Sequence, residues 1–130
     1  LSELKNDELL ITSDTIVVLN DLVLGKPVDE NDAVRMLGLL SGNTHKVITG
    51  VCLISIQKQI SFSETALVSF ANLSDDEIRY YVSKYKPLDK AGAYGVQEWI
   101  GYVGVDRIEG SYFNVMGLPI SRLYRELKTF

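Results

Sequence analysis

Two apolar runs, LLITSDTIVVL at residues 9–19 and LVL at 22–24, are separated by Asn20-Asp21 alone, and this spacing restricts the fold more than any other feature of the chain. Asn and Asp tolerate positive φ, so the pair predicts a tight hairpin with Leu19 opposite Leu22. Ile16, Val17 and Val18 give the first run strand character, and the apolar residues on both sides of Asp14 predict a largely buried strand. A charge there is costly. A carboxylate withdrawn from water loses solvation or raises its pKa, so Asp14 is expected to meet a cation, a metal ion or a wet cleft, which makes it a candidate functional residue. Lys26, held between Gly25 and Pro27, is the returning cation. Strict register sets Thr15 opposite Lys26 and puts Asp14 on the other face of the sheet. Gly25 and Pro27 interrupt the ladder, however, so Lys26 can swing around the sheet end. Spacing alone serves equally well for a surface lysine beside a turn.

The rest of the chain reads as alternating elements. Asp29 is a helix N-cap with Asp32 in the first turn, and Ala33, Met36, Leu37 and Leu40 share one helical face that ends at Ser41-Gly42. A polar loop at 43–46 holds the sole histidine, His45, read as a hydrogen-bonded loop residue because one histidine does not assemble a metal site. A long strand follows at 47–56. After the turn at 57–59 its antiparallel partner runs from Ile60 to Phe70, with a bulge expected at Leu67, where the alternation slips. Ser74 and Glu77 form a capping box that opens a helix with Ile78, Tyr81, Val82 and Tyr85 on one face, stopped by Pro87. Asp75, Asp76 and Glu77 are then capping and dipole partners, not a metal cluster.

Residues 86–97, KPLDKAGAYGVQ, are a loop by composition. Gly92 and Gly95 would let backbone N–H groups approach an anion, Lys90 would meet phosphate, and Gln97 could pair with an amide-like base edge. Trp99, Ile100, Tyr102, Val103 and Val105 predict a strand region closed by Ile108-Glu109-Gly110. Pro119 precedes a last helix whose Ile120, Leu123, Tyr124 and Leu127 are expected to face the core. The order of elements predicts an α/β (α+β-like) domain with a mixed sheet and flanking helices, since a doubly wound parallel sheet would need strict alternation of strand and helix.

A chain of 130 residues fits one domain and buries a core without disulfides. Cys52, the single cysteine, lies in VITGVCLISI and reads as a small buried hydrophobe. No apolar run approaches the roughly 18 residues needed to cross a bilayer, nor is there a secretory pattern, so a cytoplasmic location is expected. A net charge of −4 argues against a nucleic-acid polymer or a membrane surface as partner. A small anionic ligand needs only local cations. Lys26, Lys46, Lys90 and Arg107 are the candidates.

Four blocks, in order along nearly the whole chain, together resemble the Maf family of nucleoside triphosphate pyrophosphatases. SDTIVVLNDLVLGKP is similar to the family's A-D-T-V-V and L-G-K-P signatures, and AVRMLGLLSGNTHKVITGV to A-x-x-M-L-x-x-L-S-G-x-T-H-x-V-x-T-G-V. KPLDKAGAYGVQ resembles P-x-D-K-A-G-A-Y-G-I-Q, and IEGSYFNVMGLPISRL the closing I-x-G-x-x-x-N-V-x-G-L-P. The resemblance implies an elongated twisted sheet with a cleft, as in the similar inosine triphosphatase architecture. It also implies hydrolysis between the α and β phosphates with a divalent cation such as Mg²⁺ or Mn²⁺. By motif position it gives Asp14 the proton-acceptor role, with metal contact, and Lys26 a phosphate contact. Lys90 suits the phosphates as well. Thr15 and Gln97 match positions that separate substrate classes, and here both resemble the branch acting on dTTP and UTP.

Ser13, Asn43 and Glu98-Trp99 depart from the family pattern without removing a catalytic group. The family's opening section, with its S-x-S-P-R-R loop and a later lysine, has no counterpart here. The domain, 1–130, is therefore expected to lack its N-terminal strand, phosphate loop and helix, to present an unpaired sheet edge and to hydrolyse UTP poorly by itself. Such an edge invites self-association, and a homodimer is possible. Two other readings remain: a triphosphatase for deaminated purine nucleotides, disfavoured by Thr15 and Gln97, and a nucleotide-binding, division-related regulator with little or no catalysis.

Overall fold

Asn20 takes a φ of 55° and closes a hairpin between β1 (Leu10–Leu19) and β2 (Leu22–Leu24), with Leu19 opposite Leu22 as the sequence predicts. The structure is a computed structural model that describes residues 3–130; Leu1 and Ser2 lie outside it. β1 also pairs with β3 (Thr44–Ile54), β3 with β4 (Gln59–Phe70), and β4 with β5 (Val105–Glu109), in a 5-stranded sheet of order β2-β1-β3-β4-β5. The α/β architecture is the one expected. In place of a mixed sheet, however, every ladder among the described strands is antiparallel. β2 and β3 run parallel to each other through the crossover helix α1 (Glu30–Leu40), but β1 lies between them, so no parallel ladder forms.

α1 begins where Asp29 accepts from the Asp32 N–H at 2.7 Å, and it buries Ala33, Met36, Leu37 and Leu40 against the sheet cluster of Val17, Val47, Val68 and Phe70. α2 (Asp75–Tyr85) opens on the expected capping box, the Glu77 N–H donating to Ser74 Oγ and the Ser74 N–H to Glu77 Oε1. Tyr81 and Val82 join the same core. Each such aliphatic side chain contributes about 1.5–3 kcal/mol on burial. A smaller cluster of Val51, Leu53 and Leu123 sits at the other end of the sheet, beneath α5 (Ile120–Thr129).

Several expectations are overturned. The first half of β1 is exposed, Leu10 and Ile11 at 38% and 41%, because three-residue β2 pairs only with its last three residues and leaves Leu10–Ile16 as a sheet edge. β3 starts at Thr44, which puts His45 inside a strand and fully buried rather than in a loop. No bulge interrupts β4 at Leu67: its register with β3 is continuous, and the irregularity falls between Ser69 and Phe70, facing β5. Trp99–Gly104 is a helix, α3, not a strand, because Ile100 and Gly104, four apart, bury one helical side. α4 (Tyr112–Met116) was not foreseen. On α5 only Leu123 is buried, while Ile120 and Tyr124 are exposed at 47% and 56%. Cys52 is half-buried, accepting from Ser61 Oγ at 3.5 Å on the sheet face without a helix cover. Among the described residues no helix is long and apolar enough to cross a membrane.

Candidate functional site

A cleft of ≈ 230 Å³ opens where the β1 edge, the segment after β2, the loop at 86–97 and α4 converge, and Asp14, Thr15, Lys26, Lys90 and Gln97 all line it. The five residues to which the family resemblance or the loop reading gives a site role therefore meet at one place. Lys46 and Arg107 do not. Lys46 pairs with Val18 on the opposite sheet face, and Arg107 is tied to Glu109 at 3.3 Å on the exposed edge strand.

Lys26 reaches the cleft because the chain beyond β2 is strapped to the loop. The Gly92 N–H donates to the Gly25 carbonyl at 3.1 Å, holding the two lysine-bearing segments side by side. Gly92 is at φ 71°, and a Cβ there would meet Val17 Cγ2 at 2.9 Å, so only glycine fits without strain. Gly95 plays a packing part too: a Cβ there would lie 2.8 Å from Lys90 Cε, which lets the Lys90 stem run flat across the loop.

The two loop glycines do not offer their amides to an anion, which corrects the expectation from composition. The Gly92 N–H is spent on Gly25, the Ala93 N–H on the Lys90 carbonyl at 3.1 Å, and the Gly95 N–H on Tyr81 Oη at 3.0 Å. Tyr81 in turn donates to Glu98 Oε1 at 2.5 Å; burial, with this carboxylate, pushes the phenol far above its usual range. Lys26 and Lys90 are the cations that face an anion in the cleft.

Asp14 is exposed, not buried as the flanking aliphatics predicted. Its β3 partner is Gly50, which carries no side chain, so the carboxylate borders both the main cleft and a shallow groove on the other sheet face. The Thr15 N–H donates to Asp14 Oδ1 at 3.0 Å and fixes one oxygen. Of the alternatives for a charge at this position, a wet cleft is the one the fold adopts.

Sequence reasoning missed Asp89. It lines the same cleft, its Oδ1 3.3 Å from Lys90 Nζ. The Lys90 hydrogen bond, then its own backbone N–H and the fields of Lys90 and Lys26, hold its carboxyl below the usual range. The adjacent Asp89-Lys90 was the available signal. Val115 and Met116 of α4 and Gly117, which caps it, close the cleft and have no signal beyond the closing motif. Among the described residues no group of three or more His, Cys, Asp or Glu side chains is placed to hold a metal by itself. Asp14 and Asp89 in one cleft nonetheless suit Mg²⁺, which binds through one or two carboxylates and completes its shell with water and substrate phosphate.

His45 underlies the loop. Its Nε2 is 2.6 Å from Tyr94 Oη, and Phe70 packs edge-on against both rings. Burial pushes the imidazole from 6.5 down to about 4, and the Tyr94 phenol well up. The unfolded chain therefore takes up a proton on His45 below pH 6.5 that the folded one refuses until about 4, so stability falls as pH drops through that window. About 2 kcal/mol should be gone by pH 5. Urea midpoints at pH 7 and pH 5 measure the loss, and His45→Gln should shrink it.

The family model described as Maf-like protein matches residues 1–130. A protein of Phocaeicola vulgatus named dTTP/UTP pyrophosphatase is 64% identical over 122 residues, which cover 94% of this chain and 63% of that one. Relatives of the same name from Porphyromonas gingivalis and Christiangramia forsetii are 54% and 51% identical over 127 and 128 residues, each covering 98% of this chain and 64% and 65% of theirs. The chain thus spans just under two thirds of the length of these curated relatives.

Proposed function

This chain belongs to the Maf family, and on that premise we propose that its cleft hydrolyses UTP and dTTP to the monophosphate and pyrophosphate in the cytoplasmic nucleotide pool. The observation that carries the reading is the convergence of Asp14, Thr15, Lys26, Lys90 and Gln97 on one cleft from three separate stretches of chain. Names of relatives support the substrate class.

In this reading Asp14 takes the proton of the attacking water, oriented by the Thr15 N–H on its Oδ1. Lys26 and Lys90 stabilise the charge that gathers on the phosphates as the pyrophosphate departs. Because the Gly92, Ala93 and Gly95 amides are already bonded internally, the lysines bear most of this task with whatever cation accompanies the substrate. A divalent ion held by Asp14, with Asp89 beside it, would neutralise phosphate charge and polarise the scissile bond. Asp89 holds Lys90 in place until phosphate competes for it. Gln97 presents both a carbonyl and an amide to the base, and its amide can donate to the O4 of uracil and thymine.

A panel of UTP, dTTP and 7-methyl-GTP tests the assignment by pyrophosphate release with Mg²⁺ and with Mn²⁺. UTP and dTTP are expected to turn over at least about tenfold faster than 7-methyl-GTP, a margin within reach of one or two base contacts. Preference for 7-methyl-GTP would remove the pyrimidine reading. Binding of UTP without pyrophosphate release would favour a nucleotide-binding regulator instead.

A further inference from the structure

Thr15 is one end of a relay of hydrogen bonds that runs into the protein. Its Oγ1 lies 2.9 Å from Thr49 Oγ1, Thr49 is fully buried, and Thr49 Oγ1 donates to the backbone carbonyl of Asn114 at 3.3 Å. That carbonyl is held still. The Asn114 amide group donates to the Val47 and Glu64 carbonyls, and the Asn114 N–H donates to Ser111 Oγ.

Each hydroxyl owns one proton, and a carbonyl can only accept. With the Thr49 proton committed to Asn114, the Thr15–Thr49 contact must use the proton of Thr15. Thr15 then offers the cleft lone pairs and nothing to donate. Its oxygen is open on that side: a Cβ added at Gly117 would find Thr15 Oγ1 at 3.8 Å and no other atom within 4 Å.

We propose that Thr49 is a positioning residue that makes Thr15 a one-way hydrogen-bond acceptor, so that the cleft selects a base edge bearing an imide N–H over one bearing a ring-nitrogen acceptor. Uracil and thymine present the first edge, cytosine the second. The inference rests on the nucleotide reading above and adds to it the rule by which one pyrimidine is preferred. Lone pair facing lone pair leaves both groups unsatisfied once the bound base has displaced the water between them, which should cost cytosine about tenfold or more in affinity.

The experiment measures binding of UMP and CMP by calorimetry, and pyrophosphate release from UTP and CTP, for wild type, Thr49→Val and Thr49→Ser. Wild type and Thr49→Ser should favour the uracil nucleotide by about tenfold. Thr49→Val keeps the branched shape but frees the Thr15 proton to turn outward, so the preference should collapse towards unity while CMP binding strengthens. In a Thr15→Val background, Thr49→Val should change the preference no further, a coupling that mere loss of packing would not give. An unchanged preference in Thr49→Val overturns the proposal. Should that variant not fold, N3-methyl-UMP replaces it as the probe, and wild-type binding equal to UMP overturns the proposal. Uracil preference without pyrophosphate release would sink the hydrolase reading and sustain the role of Thr49; equal turnover of UTP and CTP would do the reverse. Failure to bind either nucleotide overturns both.

Discussion

Asp14→Asn is expected to lower pyrophosphate release from UTP by about 10²–10⁴-fold, the span that general-base catalysis ordinarily supplies. Asparagine keeps the shape of the side chain and an oxygen that can still accept from the Thr15 N–H, so the local backbone has no reason to move. What disappears is the negative charge and with it the capacity to take a proton. The fold should be untouched, because Asp14 is exposed and no side chain of the described residues is bonded to it. Nucleotide binding without metal should also hold or strengthen, since one anion facing the phosphates has gone. A kcat loss with unchanged melting temperature and undiminished UMP binding would therefore locate Asp14 in the chemical step. An undiminished rate would take it out of the mechanism and with it the hydrolytic reading of the cleft.

Asp14 is legible in the sequence, though not through the aliphatic residues that flank it. The expectation rested on burial, which is wrong: the strand around it is an edge, and β2 is too short to cover it. The blocks similar to A-D-T-V-V and L-G-K-P mark the same residue independently of burial. Local signals were dependable where the chemistry is local. Asn20-Asp21 forced the hairpin, Asp29 capped α1, and Ser74 with Glu77 capped α2. They failed where tertiary contacts decide. WIGYVG has the composition of a strand, yet it coils because Ile100 and Gly104 must meet the core together. The glycines of AGAYG resemble an anion-binding loop, yet their amides are consumed by Gly25 and Tyr81, which lie far away in sequence. The Thr49 relay is illegible for the same reason: Thr15, Thr49 and Asn114 are brought together only by the folded sheet.

Two glycines bonded to each other by backbone should respond oppositely to substitution, and the contrast tests how the cleft is assembled. Gly92→Val places a β-branched residue at φ 71° and drives its Cβ to 2.9 Å from Val17 Cγ2 in the core. Left-handed backbone costs an L-residue about 1–2 kcal/mol and overpacking a filled core about 1–3 kcal/mol, so a loss of about 3 kcal/mol is expected. Gly25→Ala, by contrast, meets no atom within 4 Å and needs no positive φ. It should leave stability unchanged or raise it by about 0.5 kcal/mol, because alanine narrows the unfolded ensemble. Both variants retain the backbone groups of the Gly92 N–H to Gly25 carbonyl bond, but only the valine pushes them apart. Relief of the clash has to lift the loop away from β1, and Lys90 then separates from Lys26. Gly92→Val should thus lose more activity than its unfolded fraction accounts for, while Gly25→Ala keeps full turnover. Urea midpoints at constant m, read beside pyrophosphate release on the same samples, decide the matter. Equal midpoints for the two variants would show that the Gly92 strap does not set the spacing of the lysines, and the account of how Lys26 enters the cleft would have to be abandoned.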